Sequence, residues 1–309
     1  MNEAYLKAVR LLLKVAPYVF ESGVFALKGG TAINLFFRDL PRLSVDLDLV
    51  YRKHMDSREE ALCLIQSELG RIELRLRGIG LSCERAANLQ GEEVKLFVAE
   101  DRTRIKLEVN YVFRGTVRPV AMCSLHPATE ERFLVALEIP LLAREEVYGG
   151  KIVAALDRQH PRDLFDLQGL YKEDGLSADI VECFVCYLAG HNRPIHEVLF
   201  PKEADISMAY VNEFNGMTRN PVALDALLAV RKRFFCELPA VLTPDHRKFL
   251  LSLVAAEPDW KLMECAHLRE MPAIRWKLRN LEHLRASNPE KFKDQTDQLR
   301  FAFEKWGIS

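Results

Sequence analysis

The sequence predicts an α+β protein, with an α/β half first and an almost wholly α-helical half after it, the border falling between about Leu125 and Pro140. Two patterns carry this. In the first half, short apolar runs alternating with period two end in Gly, Pro or Asp turns. Beyond Gly175 the apolar spacing is helical, broken at Asn192-Arg193-Pro194, Asn220-Pro221, Thr243-Pro244 and Glu257-Pro258. With 309 residues, 49% hydrophobic and 28% charged, the chain is long enough for two domains and can bury a full core.

Tyr5, Ala8, Val9, Leu12, Leu13 and Ala16 keep helical spacing from Asn2 to about Ala16, and Pro17 is the expected stop. Val24 to Leu27 reads as a strand running into Lys28-Gly29-Gly30. A helix is expected from Thr31, acting as its cap, to Phe37, with Pro41 breaking it. Ser44 to Tyr51 alternates as a strand, with Asp46 and Asp48 on one face.

Asp56 to about Arg77 is an amphipathic helix with a stripe of Ala61, Leu62, Leu64, Ile65, Leu69, Ile72 and Leu76. Strands follow at Leu81 to Arg85, Glu93 to Ala99 and Arg104 to Phe113. In the last, Ile105, Leu107, Val109 and Tyr111 oppose Lys106, Glu108 and Asn110. Pro140 and the stretch before it mark a junction. Helical pattern resumes from Ala143 through Leu156, turns at Gln159-His160-Pro161 and continues through Arg162 to Leu167. There is no fixed-period repeat and no low-complexity segment.

A net charge of -1 gives no global basic footprint, so any nucleic-acid partner requires a local patch. Seven scattered cysteines fit a reduced, cytosolic compartment. Cys183-x-x-Cys186 lies in the apolar run Ile180 to Leu188 and reads as core rather than zinc site. No basic segment precedes an apolar run at the N-terminus, and no stretch reaches the ~18 apolar residues of a spanning helix. A soluble, cytoplasmic protein is expected, without membrane association.

Chemistry concentrates in Lys28-Gly29-Gly30-Thr31 and Ser44-Val45-Asp46-Leu47-Asp48. A Gly-Gly turn lets backbone approach a phosphate, and the start of the helix behind it aims N–H groups at the anion. Two aspartates one residue apart share a strand face, where they suit Mg²⁺ bound through carboxylates and substrate phosphates. Together they form a kit for nucleotidyl transfer; the bland alternative for Asp46 and Asp48 is a polar edge-strand face.

Glu108 is the candidate third carboxylate, with Asn110 a weaker neighbour. Lys151 stands after Gly149-Gly150 in an otherwise apolar helix, where it reaches a triphosphate as a point charge or snorkels at the surface. The two glycines point to close packing. Asp163 either complements a helix dipole or orients Lys151 or another basic group. Arg231-Lys232-Arg233-Phe234-Phe235 and Arg275-Trp276-Lys277-Leu278-Arg279 mix cations with aromatics, as RNA-binding faces do and as solvated helix faces over core aromatics also do.

With these residues in order, the chain resembles the AbiEii/AbiGii toxin family of the nucleotidyltransferase superfamily, whose relatives include the mycobacterial MenT enzymes. The matching segments are Leu27 to Ala32, Arg42 to Leu49, Ile105 to Asn110, Glu146 to Ala154 and Arg162 to Leu167. In the tail they are Glu257 to Trp260, Met271 to Lys277 and Asn280-Leu281. The resemblance implies a nucleotidyltransferase-type α/β catalytic domain with a mixed sheet over 1–135. It implies a mainly α-helical domain over 136–309 that completes the active site and binds the acceptor, with the pocket between the two halves.

It also implies that Gly29, Gly30 and Thr31, with Lys28 and Ser44 beside them, hold the nucleotide. Asp46 and Asp48 would hold the metal, with Glu108 a third acid, Lys151 the essential lysine and Asp163 an acidic partner. Phe165 replaces the family's usual tyrosine, and Gly149-Gly150-Lys151 replaces its Ala-Glu-Lys, although Glu145 and Glu146 lie about one turn upstream. The implied activity is Mg²⁺-dependent transfer of a nucleoside monophosphate from an NTP to the 3′ end of tRNA. The setting is a toxin–antitoxin or phage-defence pair with a cognate antitoxin encoded alongside. The alternatives are a protein acceptor, the partner antitoxin included, and a catalytically silent nucleotide-binding module.

Overall fold

The computed structural model describes residues 3–87 and 93–307, so Asn2, where the first predicted helix begins, lies outside the described residues. The chain divides into two compact units. One comprises Met1–Val147 with Gly216–Pro221, the other Tyr148–Asn215 with Val222–Ser309.

The first unit is built on a sheet of β1 (Phe25–Lys28), β2 (Asp46–Tyr51), β3 (Ser82–Ala87), β4 (Glu93–Glu100), β5 (Thr103–Asn110), β6 (Ala121–Ser124) and β7 (Glu138–Leu141). Their spatial order is β3-β4-β5-β2-β1-β7-β6. The sheet is mixed, as expected: β1–β7 and β2–β5 are parallel and the other pairings antiparallel. The alternation read in β5 is real, because Ile105, Leu107 and Val109 are buried while Lys106 and Glu108 are half-buried on the other face.

The first helix, Glu3–Phe20, packs on β5 and runs through Pro17 rather than stopping there. A proline in the last turn forfeits one hydrogen bond, and burial of Val9, Leu12, Val15, Ala16 and Val19 outweighs that loss. The amphipathic helix is Arg58–Gly78, started by a capping box in which Ser57 and Glu60 bond reciprocally. Its stripe buries Ala61, Ile65, Leu69, Ile72 and Leu76, whereas Leu64 is exposed and Leu62 only half-buried.

Pro140 is not a junction. It sits within β7, opposite Met122 of β6. Having no N–H to donate, it precedes the β1–β7 pairing, which begins at Leu141 and continues with the Leu142 N–H bonded to the Leu27 carbonyl. β6 and the helix Pro127–Phe133 escape sequence reading because β6 is four mostly exposed edge residues without alternation.

In the second unit, Pro161, Pro244, Pro272 and Pro289 open the helices Pro161–Lys172, Pro244–Val254, Pro272–Ser287 and Pro289–Lys305, the position where a missing N–H costs least. Gly149 explains part of the Gly-Gly pair. A Cβ there would lie 2.7 Å from the Phe184 nitrogen, so Arg144–Arg158 and Ala178–Ala189 meet backbone to backbone. Cys183 and Cys186 are fully buried at this crossing. Phe165 packs with Leu164, Ile206, Phe214 and Leu227, its ring 5.7 Å from that of Phe214. Among the described residues no helix is long and apolar enough to cross a membrane.

Candidate active site

The chain leaves β1 through Lys28, which is extended, and enters Gly29 at φ +77°, a left-handed conformation unfavourable to any residue with a side chain. A Cβ on Gly29 would fall 2.1 Å from Oδ2 of Asp48, so glycine is what lets this turn lie against that carboxylate. A Cβ on Gly30 would meet the Ser44 hydroxyl at 2.9 Å.

Helical winding begins at Gly29, two residues before the predicted start, and widens into a π-helix over Ala32–Phe37. Asn34 returns its amide to the Gly30 carbonyl at 2.8 Å. Thr31 is therefore not the cap. It is fully buried, its hydroxyl donates to the Asp46 carbonyl and lies 3.0 Å from Ser44 Oγ, tying the turn to the start of β2.

Strand register assembles the carboxylate face. Lys28 stands opposite Asp48 on one side, while Asp46 faces Lys106 and Asp48 faces Glu108 on the other. Lys106 Nζ lies 2.7 Å from Glu108 Oε2 and 3.6 Å from Asp46 Oδ2. Burial disfavours the Lys106 charge, but the Glu108 hydrogen bond and the fields of Asp46, Glu108 and Asp48 outweigh it and raise its pKa. Asn110 serves the backbone instead, accepting from the Val112 and Phe113 N–H groups at the end of β5.

Among the described residues no three His, Cys, Asp or Glu side chains converge as a self-sufficient metal site. The donor set nevertheless fits Mg²⁺, a hard cation that takes one or two carboxylates and completes its shell with water and substrate phosphates. Asp46 and Asp48 offer those oxygens on the face against which the Gly29 turn lies.

The second unit holds a separate charged cluster. Lys151 is buried, not snorkelling, with Nζ 2.9 Å from Asp163 Oδ1 and 3.0 Å from Asp166 Oδ2. Arg158 grips Asp163 with two nitrogens, at 2.6 and 3.0 Å. Burial pushes the Asp163 pKa up, yet the adjacent Lys151 and Arg158 charges hold it well below the usual carboxylate range. Asp163 thus pairs with Lys151 while also standing in the first turn of its helix, so both arrangements that spacing left open are present.

Asp166 and Arg158 were missed. The signal was present, because Lys151 and Arg158 are seven apart and Asp163 and Asp166 three apart, each pair on one helix face. Glu146 does not replace the glutamate absent before Lys151. It is buried and accepts the Val117 and Arg118 N–H groups, at 2.8 and 2.9 Å.

The first basic–aromatic cluster is partly absorbed into the fold, with Lys232 and Arg233 left exposed. Arg231 is buried and bonds Gln159, the Ala204 carbonyl and Glu203, Phe234 is in the core, and Arg233 stacks over Tyr171 and pairs with Glu237. In the second cluster Arg275, Trp276 and Arg279 are exposed, while Lys277 is buried.

A mixed sheet with this strand order, joined to a helical unit, is a nucleotidyltransferase fold. It is similar over 91% of this chain and 95% of the other to the nucleotidyltransferase toxin MenT4 from Mycobacterium tuberculosis H37Rv, with TM-score 0.59 and 17% sequence identity. Residues 10–280 match the family model described as nucleotidyl transferase AbiEii toxin, type IV toxin–antitoxin system. The chain belongs to this family of toxin nucleotidyltransferases. Membership implies an NTP substrate and an antitoxin partner. No curated protein matches it in sequence.

Proposed function

We propose that this enzyme works in the cytoplasm, joining a nucleoside monophosphate from an NTP to the 3′ end of tRNA and releasing pyrophosphate. The observation that carries the reading is the close approach of the Gly29 turn to the Asp48 carboxylate. In this reading the Gly29-Gly30-Thr31 backbone, Lys28 and the Ser44 hydroxyl cradle phosphates, Thr31 holding Ser44 in place. Asp46 and Asp48 would hold Mg²⁺, which when bound neutralises charge on the phosphates.

The acceptor hydroxyl oxygen bonds to the α-phosphorus, the α–β bridging P–O bond breaks, and pyrophosphate leaves. Glu108 takes the hydroxyl proton, with Lys106 steadying its charge. Lys151, held by Asp163 and Asp166, is the lysine that the family resemblance assigns to the nucleotide. The helical part, 136–309, binds the acceptor, and tRNA is the acceptor that the family resemblance implies.

Incubating pure protein with each labelled NTP, total tRNA and Mg²⁺ tests this. Label in tRNA is expected. Label in protein would make a protein side chain the acceptor, and binding without transfer would leave a silent module. Asp48→Ala is expected to abolish transfer; unchanged activity would overturn the metal assignment.

A further inference from the structure

A cavity of about 290 Å³ lies wholly within the second unit, where the helix Pro272–Ser287 meets Asn192 and Pro194 on one side and Gln295 on the other. Its polar lining is Lys277, Asn280, His283, Asn192 and Gln295, and among the described residues none of the lining is acidic.

Lys277 is only 5% exposed and its ammonium donates to the Arg193 carbonyl at 2.7 Å. An ammonium has three donors, and this carbonyl takes one. Burial lowers the Lys277 pKa to about 8, against the opposing pull of Glu197, so the group remains mostly charged at neutral pH. A cation held this deeply calls for an anion, and amides and an imidazole around it suit a ligand carrying both donors and acceptors. Leu281, Leu284 and Pro194 add an apolar wall on which a flat ring can lie. At the small end of ligand-pocket sizes, the space suits one nucleotide unit and not a duplex. Outside it, exposed Trp276 on the same helix adds an aromatic group beside the lining, while Arg275 and Arg279, about 160° round the helix from Lys277, face away.

We infer that this cavity seats one nucleotide of a single-stranded RNA, its phosphate on Lys277 and its base among Asn280, His283 and the leucines. The inference rests on the RNA-acceptor reading above and names the surface that holds that acceptor.

The test is fluorescence anisotropy of a labelled single-stranded oligoribonucleotide of roughly eight residues, titrated without NTP or metal so that catalysis is not needed. Lys277→Met is expected to weaken binding about tenfold and to lower the slope of log K against log salt by about 0.7, the value for one lost phosphate contact to a single strand. Asn280→Ala and His283→Ala, at exposed positions, are expected to weaken binding several-fold. They carry the test if Lys277→Met does not fold. If the unaltered protein binds the oligonucleotide and all folded variants bind equally well, this inference falls while the RNA reading stands. If the unaltered protein binds no RNA, the RNA reading itself falls. Binding of CMP or AMP without the oligonucleotide would make the site one for a free nucleotide and overturn the assignment.

Discussion

Gly29→Ala isolates what the Gly29 turn does. Two costs follow from the structure. At φ +77° an alanine is strained by roughly 1–2 kcal/mol. Its Cβ would also lie 2.1 Å from Asp48 Oδ2. A relaxed carbon–oxygen contact is about 3.3 Å, so the carboxylate or the turn must shift by roughly 1 Å. Displacement on that scale costs about 100-fold in a site whose geometry must hold to ~0.5 Å.

The expected result is a transfer rate reduced about 100-fold together with a melting temperature lowered by roughly 3–6 °C. Gly80→Ala is the control, because φ there is +83° and nothing lies within 4 Å of the added carbon. It carries the backbone strain alone, so it should lower the melting temperature similarly and leave transfer untouched. Equal activity in the Gly29 and Gly80 variants would refute the argument that contact with Asp48, rather than backbone freedom, demands glycine.

Lys151→Met removes the ammonium that lies 2.9 Å from the buried Asp163 and 3.0 Å from the buried Asp166. Denaturant melts should show a loss of about 3–5 kcal/mol alongside lost transfer, and a variant as stable as the unaltered protein would contradict the buried ion cluster. Glu182 accepts from His246 Nε2 and the Glu264 N–H, both at 2.9 Å. Burial raises its pKa, but these partners outweigh that and depress it, so its stabilisation is full above the ordinary carboxylate pKa and disappears as pH falls through the depressed value. Comparing melts at neutral and acid pH, Glu182→Gln should be less stable at neutral pH by about 1–3 kcal/mol and close to the unaltered protein in acid; a gap independent of pH would be inconsistent with this.

The elements that read plainly in the sequence are those whose burial follows one period, such as β5 with its buried Ile105, Leu107 and Val109. The Asp46–Asp48 pair was legible for the same reason, because period two assigns both to one face. Register was not legible. Nothing in the local wording says that Lys106 would sit opposite Asp46, or that β7 would pair with β1 more than a hundred residues away. Threonine before an apolar run normally caps a helix, but the partners of Thr31, Ser44 and the Asp46 carbonyl, lie beyond the reach of local rules. Arg231 shows the opposite failure. Its neighbours in sequence look like an RNA-binding face, but Gln159, Glu203 and the Ala204 carbonyl absorb its charge inside the fold.

The segment Gly216–Pro221 belongs to the first unit, where Arg42 pairs with Thr218 and Arg219 grips Asp39 with contacts at 2.6 and 3.0 Å. A ribosome therefore cannot finish the first unit when residue 147 emerges. The loop that carries Ser44 to the Gly29 turn waits for some seventy further residues before its last backbone partner arrives. During synthesis the half-built toxin lacks the clamp on that loop. A fragment ending at residue 147 would be a permanent version of that state, so cutting the chain at the apparent domain border removes part of the first unit along with the second.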